Sequence, residues 1–158
     1  MREILFRAKR IDNGEWVSGY YVYDYAHNAH YIFKNQLVCP NCINDRKIDH
    51  SVCDYEIDPE TICQFTGLMD KNGKRIWEND ILHRAYHSED DCIVMWYDGR
   101  FCFKTIHGQY NQDPMTLLSI CFVQKTVDRL AVIGNVFDDK NLLGKTNYRR
   151  EQEKETED

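Results

Sequence analysis

The chain reads as a mainly β protein, α+β at most: curved antiparallel sheet with a small β-barrel in the C-terminal half and one or two short helices. Three observations predict this. Short runs of β-branched and aromatic residues recur along the chain, and these types suit a pleated surface. Compact turn sequences separate them, notably Asp12-Asn13-Gly14, Asp70-Lys71-Asn72-Gly73 and Tyr97-Asp98-Gly99, which tolerate the positive φ of tight hairpins. Helix signals are few and short. Many short strands joined this way favour a strongly curved sheet, because closing a sheet removes its sticky edges.

Taken in order, Ile4 to Ile11 alternates imperfectly, with Ile4, Phe6 and Ala8 on one face and Leu5, Arg7 and Lys9 on the other. Asp12-Asn13-Gly14 turns the chain back into a strand from Trp16 to Tyr23, in which Gly19 is a candidate bulge. Tyr20, Tyr21, Tyr23 and Tyr25 make this strand unusually aromatic. Such rings could stack bases, but without interleaved cations a core or interaction surface is the better reading. His27 and His30 flank a turn and are expected in solvent.

The densest set of signals lies between Asp58 and Ile81. Thr61, Ile62, Gln64 and Phe65 read as strand, Gly67 as a bend, Asp70 to Gly73 as a hairpin loop and Lys74 as the restart of a strand. Trp77 and Ile81 are core candidates, and Glu78-Asn79-Asp80 is a polar turn into a strand from Ile81 to Tyr86. Cys92 to Trp96 and Arg100 to Ile106 form a hairpin around Asp98-Gly99, of the type I′ kind. Asp113-Pro114 resembles a helix start, whereas Leu117 to Val123 is an apolar run that fits helix or buried strand equally. Leu130 to Ile133 is a short strand broken by Gly134-Asn135, and a short helix is expected within 138–143. This organisation gives an N-terminal β region over 1–57, a barrel core over 58–144 and a polar, disordered tail over 145–158.

Residues 39–53 form an insert with the one recognisable ligand spacing. Cys39 and Cys42 could turn two thiolates toward one Zn²⁺, and His50 and Cys53 could complete a tetrahedral set. The alternative is a polar loop in a reducing cell. A structural zinc is the one cofactor this spacing allows, and no other is expected.

Composition bounds the rest. The chain has 158 residues, enough for a core without staples. It has no apolar run approaching the roughly 18 residues of a membrane span, so a cytoplasmic protein without membrane contact is expected. Seven cysteines, an odd number, suggest buried thiols at Cys63, Cys92, Cys102 and Cys121 rather than a disulfide framework. A net charge of −6 disfavours a polyanionic partner, although Arg2, Arg7, Lys9 and Arg10 give one strand a basic edge.

The segments DPETICQFTGLMDKNGKRIWENDI (58–81), MREILFRAKR (1–10), Val94 to Trp96 with Phe101 to Phe103, and VIGNVFDDKNLL (132–143) resemble the YopX-like proteins of bacteriophages and prophages. Asn79 stands where that family usually carries Gly, and Asn is the next best residue at positive φ. The resemblance implies the fold but no catalytic residues. No phosphate loop, nucleophile elbow or metal helix is present in the sequence. The expected role is a non-enzymatic phage or prophage accessory protein that binds a protein partner or assembles with itself. The alternative is a small-barrel nucleic-acid binder. An enzyme would require a pocket lined by polar groups such as Glu78, Asp80 and His83.

Overall fold

The computed structural model describes residues 3–34, 54–84, 91–106 and 127–143. They belong to two compact units that meet in sequence at Phe65 and Thr66. Both are antiparallel sheet.

In the first unit β1 (Phe6–Lys9), β2 (Trp16–Asp24), β3 (Ala29–Phe33) and β4 (Asp54–Glu56) pair in sequence order, and β1 also pairs with the start of β5 (Cys63–Met69). The β1–β2 turn is closed by the Gly14 amide, which donates to the Arg10 carbonyl at 3.0 Å. Gly14 itself sits at φ +72, a left-handed conformation that glycine adopts without strain. β2 serves two partners: Trp16 to Gly19 face β1, and Tyr20 to Asp24 face β3. Gly19 stands at the handover. The expected bulge is not there, since both registers run unbroken, and the glycine is required by close approach instead. A Cβ on Gly19 would lie 1.8 Å from the Phe33 carbonyl oxygen.

The strand expected to begin at Thr61 begins at Cys63. Asp58 caps a 3₁₀ turn over Pro59–Thr61 by accepting the Glu60 amide. Thr61 is buried there because its hydroxyl oxygen accepts the Lys9 amide at 2.9 Å. This turn lets the chain follow β1 twice. Arg10 bridges Ile57, and the Asp58 amide donates to the Lys9 carbonyl, while the Ile57 amide donates to His30. The end of β4 thus lies against both β3 and β1, and the sheet curls around Ala8, Val17, Ile32 and Ile57. Phe6, Tyr21, Tyr55 and Ile62 pack on that cluster. Complete burial of Ile32 and Ile57 contributes about 2 kcal/mol each.

The second unit holds the rest of β5 with β6 (Arg75–Trp77) beside it, and a sheet in the order β10-β7-β8-β9. Those strands are β7 (Asp80–Arg84), β8 (Cys92–Tyr97), β9 (Arg100–Thr105) and β10 (Leu130–Asn135). A short helix, α1, spans Lys140–Leu143. Leu82, Cys92, Val94, Phe101, Phe103 and Leu130 build its core with Ile76 and Val127. Asp98 and Gly99 both have positive φ, as the type I′ turn demands. Gly134 does not end β10; the strand runs on to Asn135 through a register shift between Val132 and Gly134.

No closed barrel is formed among the described residues. β10 and β9 are the outer strands of the second sheet. Cys63, Cys92 and Cys102 are buried free thiols. Cys121, the 114–123 segment, the tail from 145 and the insert residues Cys39, Cys42, His50 and Cys53 lie outside the described residues.

Candidate binding surface

Strand alternation divides the Tyr20 to Tyr25 run between two faces. Tyr21 and Tyr23 point with Val17 toward the inner side of the curl, where Tyr21 packs on Phe6 at 5.6 Å. The Tyr21 hydroxyl is 2.8 Å from His30 Nδ1. Burial first, then the neighbouring Tyr23 and Tyr25 hydroxyls, raises the Tyr21 pKa above its ordinary value. The Tyr23 ring lies tilted against His30 at 4.8 Å and edge-on to Tyr25 at 4.6 Å. His30 is accordingly half-buried, not in solvent as expected, whereas His27 is exposed and pairs with Asp24 at 2.6 Å.

Tyr20 points the other way. Trp16, Ser18, Tyr20 and Val22 line the outer side of β2, and the register sets Phe33 opposite Tyr20 and Tyr31 opposite Val22. Tyr20 and Val22 are exposed, at 39% and 43%. On β1 the register places Lys9 opposite Trp16 and Arg7 opposite Ser18. The Arg7 guanidinium lies 4.7 Å and the Lys9 ammonium 5.6 Å from the Trp16 ring centroid, within cation–π range. Cations and rings therefore share the outer face. Sequence inspection missed this because it looked for cations among the tyrosines; extending the register through the Asp12-Asn13-Gly14 turn would have paired Lys9 with Trp16.

The segments rich in Asp and Asn converge in the second unit, and there they hold backbone. Asp70 Oδ1 accepts the Asn72 and Lys74 amides at 2.8 Å, and its Oδ2 accepts the Val132 amide at 3.0 Å. Burial pushes that carboxyl's pKa up, but the three amides prevail and hold it below its ordinary value. Asp80, almost fully buried, accepts the Trp77 amide at 2.9 Å. Asn79, at φ +64, donates its amide to Val94 and accepts the Val136 amide on its carbonyl. Asn135 Oδ1 accepts the Phe137 and Asp138 amides, and Asp139 Oδ2 accepts the Asn135 amide. The turn before β7 and the turn after β10 are thereby tied together.

These same segments fall within a match to the model of the YopX protein family, which extends over residues 5–144. The chain belongs to the YopX family. The crystal structure of protein EF1440 from Enterococcus faecalis is similar in fold, with a TM-score of 0.52 and 23% identity over 90% of this chain and 99% of that one. No curated protein matches the sequence.

In this YopX family chain, two of the residues that an enzyme reading would need are engaged within the fold. Asp80 is bonded to backbone, and His83 Nδ1 pairs with Asp91 Oδ1 at 2.7 Å. Among the described residues no group of three His, Cys, Asp or Glu side chains could hold a metal ion. A cleft of about 280 Å³ is lined by Arg10, Ile11, Asp12, Tyr55 and Glu56. There the Arg10 guanidinium lies 4.3 Å from the Tyr55 ring centroid and pairs with Asp12. No helix among the described residues is long and apolar enough to cross a membrane.

Proposed function

We propose that this YopX family protein is a non-enzymatic accessory protein of phage or prophage origin, acting in the cytoplasm as a protein-binding or self-assembly module. The observation that carries this reading is the outer face of the first unit. Tyr20 and Val22 stand exposed beside Tyr31 and Phe33, with Trp16 and Arg7 at the border. Trp, Tyr and Arg are the residue types that dominate binding energy at protein interfaces. On the opposite side of the same strands Ala8, Val17 and Ile32 cluster with Ile57, so the exposed Tyr20 and Val22 lie outside that cluster.

Light scattering over a range of protein concentrations, with the Val22→Glu variant alongside, tests the proposal. The wild type is expected to associate with itself or to retain a defined protein partner, and V22E to lose that association while melting at the wild-type temperature. A wild type that stays monomeric and retains no partner overturns it.

A further inference from the structure

The inner side of β2 carries a chain of touching rings that the outer face does not involve. Alternation puts Tyr21 and Tyr23 on one side of the strand, and the register sets His30 opposite Tyr23. The ring centroids lie 5.9 Å apart from Tyr21 to His30, 4.8 Å from His30 to Tyr23 and 4.6 Å from Tyr23 to Tyr25. One end of the chain is open, since Tyr25 is 88% exposed. The other end is half-buried and has a base in place. The Tyr21 hydroxyl lies 2.8 Å from His30 Nδ1, which accepts its hydrogen bond when the neutral imidazole carries its proton on Nε2. The Tyr23 hydroxyl donates instead to the side-chain oxygen of Asn28, an amide too weakly basic to take a proton.

A phenol that loses an electron becomes a strong acid, so its oxidation is easy only where its proton has somewhere to go. Burial raises the Tyr21 pKa, which disfavours giving up the proton first and leaving a phenolate. With an imidazole already bonded, electron and proton can leave together and the ring stays neutral. We propose that Tyr21 and His30 form a redox site, which takes up the oxidising equivalent of a small one-electron oxidant, of the carbonate or nitrogen dioxide radical class, through Tyr25. The oxidant gains one electron from the Tyr25 ring, which is refilled from Tyr23, and that ring in turn from Tyr21 across the His30 ring touching both. The Tyr21 O–H bond breaks and an N–H bond forms at His30 Nδ1. The products are the reduced oxidant, a neutral tyrosyl radical at Tyr21 and an imidazolium at His30.

Photogenerated tris(bipyridine)ruthenium(III) is the probe oxidant, applied to the full chain, with freeze-quenched EPR and dityrosine fluorescence as readouts. In the wild type the flash is expected to leave a long-lived tyrosyl radical whose hydrogen-bonded proton exchanges in deuterated water. Tyr21→Phe should abolish that signal and leave the oxidising equivalent at Tyr25, where exposed radicals couple into dityrosine-linked dimers. Adding Tyr25→Phe should remove those dimers. His30→Phe, which keeps a ring but offers no base, should likewise lose the signal, and His30→Gln replaces it if that variant fails to fold. Val22→Glu should leave the radical unchanged, so failure of the outer face as a binding surface is seen apart from failure of this site. A radical as long-lived in Y21F as in the wild type overturns the inference, as does one that survives replacement of His30. A Tyr21 radical undiminished by Tyr25→Phe alone overturns the entry through Tyr25.

Discussion

The polar turns of the second unit and the outer aromatic row of the first put their side chains to different uses. In the second unit the turn residues that mark the family are committed to the backbone: Asp70, Asp80, Asn135 and Asp139 each accept main-chain amides. In the first unit the outer aromatic row holds no such ladder together, and Tyr20 and Val22 remain exposed. Residue types that look functional in a sequence can therefore be architectural, and a row that looks like an ordinary strand can be the accessible surface. Four experiments test this contrast.

The largest effect is expected at Asp70. Replacing it by alanine removes the acceptor of three amides, two in the β5–β6 turn and one in β10, and should cost about 3 kcal/mol in denaturant unfolding. The pH dependence follows from the lowered pKa. Because the carboxyl titrates lower in the folded chain than in the unfolded one, its contribution is fully present above its ordinary value of 3.8 and is lost as pH falls through the folded value. Asp70→Asn should flatten that acid limb of the stability curve. An unchanged limb would mean that another carboxylate carries it.

Two glycines give a paired comparison, one in each unit. A methyl at Gly19 meets the Phe33 backbone oxygen at 1.8 Å, whereas a methyl at Gly134 meets the Asp139 carboxylate at 2.4 Å. Backbone in a sheet cannot yield, so Gly19→Ala should cost about 3 kcal/mol. A side chain can swing away, and Gly134→Ala should cost about 1 kcal/mol, the worth of the displaced bond from the Asn135 amide to Asp139. Equal losses would show that Asp139 is as fixed as a strand.

Asn79 explains why much of the second unit was legible in the sequence. The positive φ at 79, the Asp98-Gly99 turn and the buried Trp77 and Ile81 all follow from local chemistry, because a tight turn constrains a few adjacent residues. The bonds from Asp70 to Val132 and from Val136 to Asn79 were not legible: they join residues far apart in sequence, and no spacing announces them. The bridge between Arg10 and Ile57 in the first unit was not legible for the same reason. Gly19 was read as a local irregularity when its cause is a neighbouring strand. Asn79→Ala tests the local kind directly. Losing a residue that tolerates positive φ should cost about 1 kcal/mol, and Asn79→Gly should be neutral within about 0.5 kcal/mol, both by thermal unfolding.

The smallest stability effect, and the sharpest test of the contrast, is expected on the outer face. Tyr20 has its ring on the outer side of β2, more than a third exposed, across from Phe33. Tyr20→Ser should change unfolding free energy by no more than about 0.5 kcal/mol, as surface substitutions outside caps and networks do. Tyr21→Ser, one residue along, removes a ring that packs on Phe6 and meets His30, and should cost about 2 kcal/mol. The ordering must invert when association is measured instead: Tyr20→Ser weakens it, while Tyr21→Ser, under conditions where it stays folded, leaves it intact. Adjacent tyrosines with opposite sensitivities would place the boundary between architecture and contact surface at a single peptide bond, because alternation along a strand sends one ring inward and the next outward.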